Sequence, residues 1–179
     1  MSGRREYDIT FVGLKPGVHE FNYEIDEKFF ANYPPGDFSN IVAKVRLMLE
    51  KNTSFMLLKF EVGGTADLSC NRCGNPLQQQ LWEDFEVLVK LVDNPEQMNE
   101  EEEDPDVYYI GRGESHLNVE SWIYEFILLS IPTHPMCNED EIGGPKCNKQ
   151  VLEMLKKMND KDEHTQNPIW KGLDKFRNI

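Results

Sequence analysis

The sequence predicts an α+β protein with an antiparallel, strand-rich sheet or partial barrel, a core helix and C-terminal helices. Three observations predict it. Segments that alternate apolar and polar residues recur along the first part of the chain, up to about residue 111. The two strongest helical segments come after them. Strands and helices do not alternate along the chain as they do in a parallel βαβ sheet.

The first elements are short. Residues 7–12 and 18–25 have the composition of two strands, and a turn rich in glycine and proline separates them. Residues 26–33 can form one or two turns of helix, with Asp26 as the N-cap. This helix must stop before Pro34, because proline cannot continue a helix.

The central strands are longer. Residues 41–51 alternate strictly, which predicts a half-buried strand, and residues 54–62 form the next one. Gly63 and Gly64 follow and predict a β-bulge. Residues 78–92 predict a long strand after the first two cysteines. The apolar residues on one side of the first of these strands are Ile41, Ala43, Val45, Leu47 and Leu49.

The helices come last. After a short strand at residues 107–111, Asn118 can cap a helix over residues 119–130. Its apolar residues cover much of its circumference, so it is the predicted core helix, and Pro132 stops it. A second helix, over residues 148–158, is capped by Asn148.

An acidic segment interrupts this order at residues 93–106. It is almost wholly acidic or polar, which predicts a solvated, disordered loop; the alternative is a decoy for a basic partner. We therefore expect a single α+β domain over residues 1–158 that contains this loop. Residues 159–179 are expected to be a linker and a short amphipathic helix.

The charge limits the class of partner. The 179-residue chain has 19 Lys and Arg against 32 Asp and Glu, a net charge of -13. Such a chain repels phosphate. We therefore expect either a basic protein as the partner, as ribosomal proteins are, or a local basic patch that binds the partner despite the net charge. We see no signal peptide and no apolar run of membrane-spanning length, and we expect a cytoplasmic protein.

The four cysteines predict a metal site. Cys70 and Cys73 form C-x2-C with Gly74 directly after it, and Cys137 and Cys147 follow downstream. Thiols stay reduced in the cytoplasm, where clustered cysteines favour metal or redox chemistry over disulfides. A tight turn lets two thiolates face one cation. Four thiolates would hold Zn²⁺ in a closed, structural site that staples the fold.

Other interpretations of the cysteines remain open. They can be unrelated to one another, or Cys70 and Cys73 can be a redox pair, although such pairs usually begin a helix in a βαβ unit. An iron–sulfur cluster lacks a run of three closely spaced cysteines. His134 lies near Cys137 and can replace a cysteine as a ligand.

No catalytic motif accompanies the cysteines. The sequence has no phosphate-binding G-x-x-x-x-G-K, no H-E-x-x-H and no G-x-S-x-G, so we expect a protein that is not an enzyme and has no small-molecule substrate. Zinc knuckles with an internal basic residue are used for RNA binding. The candidate RNA contacts, each of which can equally be ordinary surface charge, are Arg72, Lys44, Arg46, Lys171 and Lys175.

Three segments carry a resemblance to a known family. The first, "LSCNRCGNPLQQQLWEDFEVLV" at residues 68–89, places C-x-R-C between two strands. The second, "WIYEFILLSIPTHPMC" at residues 122–137, is a helix with an apolar end, then Pro, then Pro and Cys. The third, "NPIWKGLDKF" at residues 167–176, begins a terminal helix with Asn-Pro. Together they resemble the YceD family of large ribosomal RNA subunit accumulation proteins.

The resemblance implies a non-enzymatic role in large ribosomal subunit biogenesis, in the synthesis, processing or accumulation of large-subunit (23S) rRNA. It implies that the partner is this rRNA, a basic ribosomal protein of the large subunit, or both. The alternative function, from a different class, is a thiol redox or zinc-dependent enzyme that uses Cys70 and Cys73.

Overall fold

The computed structural model describes residues 5–137 and 147–164, with side chains described as far as residue 158. The chain divides into two compact units. The sheet unit comprises Met1–Leu68 and Gln78–Thr133, and the cysteine unit comprises Ser69–Leu77 and His134–Ile179. The predicted C-terminal helix near residue 168 lies outside the described residues.

The N-terminal segment differs from the strand predicted at residues 7–12. One turn of 3₁₀ helix, Arg5–Tyr7, leads into a two-residue strand β1, Asp8–Ile9, and a second 3₁₀ turn, Phe11–Gly13. Strand β1 pairs antiparallel with the equally short β7, Leu117–Asn118. The apolar side chains that alternate along this segment pack into the core, although the segment does not form a continuous strand. The buried ones are Tyr7, Ile9 and Phe11.

The main sheet has five strands, which lie in the order β2 (Gly17–Ile25), β3 (Ser39–Lys51), β4 (Phe55–Ser69), β5 (Pro76–Val92) and β6 (Val107–Gly111). Strand β3 pairs antiparallel with both β2 and β4, whereas β6 pairs parallel with β5. The predicted antiparallel sheet is therefore confirmed for most of the sheet, but the pairing of β5 with β6 is parallel.

Strand β3 confirms the alternation seen in the sequence, since its odd-numbered residues from Ile41 to Leu49 are buried. The bulge, however, was predicted on the wrong strand. The register shifts between Ser39 and Val42 on β3, where Asn40 has a φ of 49°. Gly64 on β4 has a different role. A Cβ there would lie 2.3 Å from the carbonyl oxygen of Val42, so glycine permits the close approach of the two backbones.

Helix α1, Glu27–Phe30, begins where the sequence predicted. The side chain of Asp26 accepts a 2.9 Å hydrogen bond from the backbone N–H of Lys28, which confirms it as the N-cap. Phe29 of this helix is buried and packs edge-on against Tyr7. The helix thereby helps to fix the N-terminal segment on the sheet unit.

Helix α2, Pro95–Glu101, lies in the acidic segment that the sequence predicted to be disordered. Asn99 accepts a 2.8 Å hydrogen bond from the backbone N–H of Tyr109 on β6 and donates one of 2.8 Å to its carbonyl oxygen. The Tyr109 hydroxyl donates to Glu102 at 2.6 Å, and this bond lowers the pKa of the Glu102 carboxyl. These contacts order a segment whose composition alone indicates disorder.

Helix α3, Glu120–Leu129, is the predicted core helix. The helix begins one residue later than predicted, with Val119 and not Asn118 at the N-cap position, although the side chain of Asn118 accepts a 3.0 Å hydrogen bond from the N–H of Glu120. Phe126 stacks on Phe85 of β5 with ring centroids 4.3 Å apart. The helix thus covers the apolar face of the sheet, and its buried residues are Ile123, Phe126 and Ile127. None of the helices in the described part of the chain has the length and apolar composition of a membrane span.

Candidate metal centre

The first half of the centre is the turn between β4 and β5. The N–H of Cys70 donates to the Asn75 carbonyl at 2.9 Å, and the N–H of Gly74 donates to the Cys70 carbonyl at 2.8 Å. Gly74 has a φ of +72°, a conformation that glycine adopts without strain. The glycine after C-x2-C therefore has the role that the sequence predicted, because it closes the turn that brings both thiols to one side.

The second half is the loop that carries Cys137, and three hydrogen bonds join it to the turn. The N–H of Asn71 donates to the Pro135 carbonyl at 2.8 Å. The Arg72 guanidinium donates to the Cys137 carbonyl at 3.0 Å. The N–H of Cys137 donates to the Cys70 sulfur at 3.3 Å. The backbone thus holds Cys137 over the pair formed by Cys70 and Cys73.

Three sulfur atoms meet in a geometry suited to a metal. The sulfurs of Cys70, Cys73 and Cys137 all lie within 4.8 Å of one another, and those of Cys73 and Cys137 are 3.7 Å apart. A tetrahedral ion with Zn–S bonds of about 2.3 Å requires sulfurs about 3.8 Å apart. All three residues are buried, and all four cysteines of the chain are free thiols. These residues fit a thiolate-bound metal.

Cys147 lies beside these three residues. It is 5% exposed and belongs to the same buried cluster, and its side chain interacts with that of Cys137. It is not among the three residues whose sulfurs all lie within 4.8 Å, so the structure brings together three of the four predicted ligands at that distance.

Helix α4, Lys149–His164, begins directly after Cys147. Asn148 accepts a 3.4 Å hydrogen bond from the N–H of Val151, as predicted of a cap. Leu152 packs against the cysteine cluster. The helix extends to His164, past the end predicted at residue 158, because the polar residues predicted as a linker continue it. Residues 165–179 lie outside the described part of the chain.

The electrostatics of the centre favour one thiolate at Cys70. Burial alone would raise the pKa of its thiol, but backbone N–H groups of Cys137, Cys73 and Arg72 donate to the sulfur and lower that pKa to about 6. The Cys137 thiol donates to Cys70, and this bond, with burial, raises the pKa of Cys137 to about 12. A preformed thiolate surrounded by N–H donors is the species that binds a metal ion.

The other predicted site residues lie elsewhere or have other contacts. His134 is exposed and, among the described residues, belongs to no group of metal-ligating side chains with the cysteines. Arg72 is part of the loop contact described above, a role that sequence reasoning missed. Its use as an RNA contact stays a prediction, and Lys171 and Lys175 lie outside the described residues.

Lys44 and Arg46 lie on the exposed face of β3. Lys44 lies 3.6 Å from a carboxylate oxygen of Glu24, and Arg46 contacts Glu20 at 3.0 Å and Glu61 at 3.3 Å. Both residues point to the same solvent-facing side, as their spacing predicted. Carboxylates flank each of them, and RNA contact through these two residues stays a prediction.

Comparison with known proteins identifies the family. The family described as "Large ribosomal RNA subunit accumulation protein YceD" matches residues 58–177, which is more than half of the 179-residue chain. The match contains β5, the core helix and all four cysteines of the candidate centre. No curated protein and no solved structure gives a significant match. The chain therefore belongs to the YceD family.

Proposed function

We propose that this protein is a non-enzymatic binding factor in large ribosomal subunit biogenesis, which supports the synthesis, processing or accumulation of 23S rRNA. The family match over residues 58–177 carries the proposal, because the family's name refers to large-subunit rRNA accumulation. Within the described residues, the one buried cluster of reactive side chains is the cysteine centre.

Zn²⁺ is the proposed occupant of that centre, with Cys70, Cys73, Cys137 and Cys147 as ligands. The sulfur spacing and the N–H donors around Cys70 support a thiolate site, and four thiolates leave no open position for a reacting water. The ion would supply no chemistry beyond cross-linking the turn, the Cys137 loop and the start of α4. That is the role of a structural zinc, whose binding energy adds to folding energy.

The charge of the exposed sheet face favours a basic protein as the partner over direct contact with RNA. The cations Lys44, Arg46 and Lys59 each lie beside a carboxylate, the last at 2.8 Å from Glu86. Phosphate would have to compete with these carboxylates and with the net charge of -13. A lysine- and arginine-rich protein of the large subunit gains attraction from the same surface.

A pull-down of the tagged protein from its own cells, with and without RNase, tests the partner. We expect a basic large-subunit ribosomal protein to remain bound after RNase treatment, because the acidic surface binds it directly. A tagged control protein of similar size and net charge sets the background. Recovery of rRNA alone, lost on RNase treatment, would assign contact to RNA instead. If no large-subunit component were recovered above background, that result would contradict the proposed function.

The second candidate function is thiol redox chemistry at Cys70 and Cys73. The low pKa of Cys70 favours it, since reactive thiols share this property. Burial favours the metal site, because Cys70 and Cys73 are only 2% and 1% exposed. The two functions differ in how the native protein reacts with an alkylating reagent.

We expect iodoacetamide to leave the four cysteines of the native, zinc-loaded protein unmodified, and to modify them after a chelator removes the metal. The physical reason is that a bound, buried thiolate is neither accessible nor free to attack. Mass spectrometry of the alkylated peptides measures the result. Rapid modification of Cys70 in the untreated protein would favour the redox function instead.

A further inference from the structure

A groove runs along one edge of the five-stranded sheet. It has a volume of about 700 Å³ and lies between the N-terminal residues Glu6–Thr10 and the Glu20–Glu24 stretch of β2. Leu14 also lines it. The whole groove lies within the sheet unit.

The backbone edge of β2 faces this groove without a strand partner. Strand β2 is the first strand in the sheet order and pairs only with β3, over all nine of its residues. Among the described residues, none donates a backbone hydrogen bond to the outer edge of Val18–Ile25 or accepts one from it. Proteins usually protect such edges with proline, lysine or a bulge, because a free edge is a template for another strand. Strand β2 contains neither residue type and its register has no shift.

The opposite edge of the sheet is protected. At the β6 edge, the side-chain amide of Asn99 makes the hydrogen bonds that a neighbouring strand would make. It accepts one from the N–H of Tyr109 and donates one to the carbonyl oxygen of Tyr109. Helix α2 therefore covers part of the β6 edge. Within the described residues, β2 therefore has a backbone edge without a hydrogen-bond partner, whereas part of the β6 edge is covered.

The side chains of the groove define what can bind. Apolar contact comes from aromatic rings, with Tyr7 and Tyr23 packed at 5.5 Å between centroids. Four carboxylates line the groove, and no lysine or arginine is among its described lining residues. The carboxylates are Glu6, Asp8, Glu20 and Glu24.

The charge of these carboxylates is only partly balanced by neighbouring residues. Glu20 lies 3.0 Å from Arg46, which lowers the pKa of its carboxyl and keeps it ionised. Glu24 approaches Lys44 at 3.6 Å, but both side chains are about four-fifths exposed, so that bridge is weak. Asp8 accepts a hydrogen bond from the neutral amide of Asn118. The groove thus presents net negative charge along a free strand edge.

We propose that the β2 edge binds an extended, basic segment of the partner protein by strand addition, with Lys or Arg alternating with apolar residues. This inference rests on the proposed function for the identity of the partner as a basic protein. Side chains of an added strand alternate between the two faces of the sheet. Those on one face would lie across from Glu20 and Glu24, and those on the other would contact Phe21 and Tyr23.

A labelled peptide of about nine residues, the length of β2, that alternates lysine and valine is the probe. We expect saturable binding to the full-length, zinc-loaded protein by fluorescence anisotropy, weakened by salt because rim charges are screened. A peptide with the same composition, arranged as a lysine block and a valine block, is expected to bind about tenfold more weakly, since it cannot match both faces.

Charge reversal locates the site. The double variant Glu6→Lys, Glu24→Lys is expected to weaken binding by about tenfold, through lost attraction and added repulsion. The matched control, Glu96→Lys, Glu103→Lys, changes net charge equally at exposed positions of the acidic segment and is expected to bind as the wild type does. Thermal melting checks that both double variants fold. In the wild type, the backbone amide signals of Glu20–Glu24 are expected to shift in NMR spectra on titration.

Five results would overturn the inference. Equal loss in both double variants would mean general charge attraction, and equal binding of the block peptide would exclude strand addition. Amide shifts confined to other strands would place the peptide elsewhere. Dimerisation through β2, seen by sedimentation and blocked by Glu24→Lys, would make a second copy the occupant. If the peptide failed to bind while the pull-down still retained a ribosomal protein, the proposed function would stand and only this binding site would be excluded.

Discussion

Replacing Cys70 with serine is expected to abolish metal binding and to unfold the turn between β4 and β5 together with the Cys137 loop. Cys70 accepts three backbone N–H groups as a thiolate, and a neutral hydroxyl cannot replace that charge. A structural zinc site contributes folding energy, so its loss is expected to lower the melting temperature of the cysteine unit sharply. Metal analysis by mass spectrometry, hydrogen exchange of residues 69–77 and thermal melting measure the effects.

Asn71→Ala is the matched control for this variant. Asn71 lies between the two cysteines and its side chain is exposed. Among the described residues, its hydrogen bond to the Cys137 loop is made by its backbone N–H. We expect it to keep the wild-type metal content and melting temperature. If Cys70→Ser also kept both, the four cysteines would not form a structural metal site, and the zinc assignment would be wrong.

Replacing Phe60 with alanine is expected to destabilise the sheet unit by about 3–5 kcal/mol, through lost burial and the cavity that remains. Phe60 is fully buried on β4, and its ring packs against Phe126 at 5.0 Å and Trp122 at 6.4 Å between centroids. The contact joins the sheet to helix α3. Denaturant unfolding followed by circular dichroism measures the change in the free energy of unfolding.

Phe55→Ala is the control for this variant, since Phe55 begins the same strand but is 37% exposed. We expect it to cost much less than Phe60→Ala, because less apolar area leaves the core. Equal losses for the two variants would mean that Phe60 does not anchor helix α3 on the sheet.

The elements that could be predicted from the sequence are those set by local chemistry. The alternation along β3 and the caps at Asp26 and Asn148 each depend on a few neighbouring residues. The elements that were predicted wrongly depend on distant contacts. Helix α2 is held by Tyr109 on β6, and the bulge lies where the backbones of β3 and β4 approach each other.

The same division applies to the candidate site. The spacing of Cys70 and Cys73, with Gly74 after them, predicts the turn because the turn is closed by its own residues. The approach of Cys137 depends on hydrogen bonds from Asn71 and Arg72 across the chain, which spacing does not reveal. The free edge of β2 likewise follows from strand order, and no sequence pattern within β2 indicates which strand lies at the edge.

The most direct test of the proposed function measures large-subunit rRNA relative to small-subunit rRNA in cells depleted of this protein. We predict that the ratio falls on depletion, and that the wild-type chain and Asn71→Ala restore it whereas Cys70→Ser does not. An unchanged ratio after depletion would contradict a role in large-subunit rRNA accumulation. Full restoration by Cys70→Ser would instead separate that role from the metal centre.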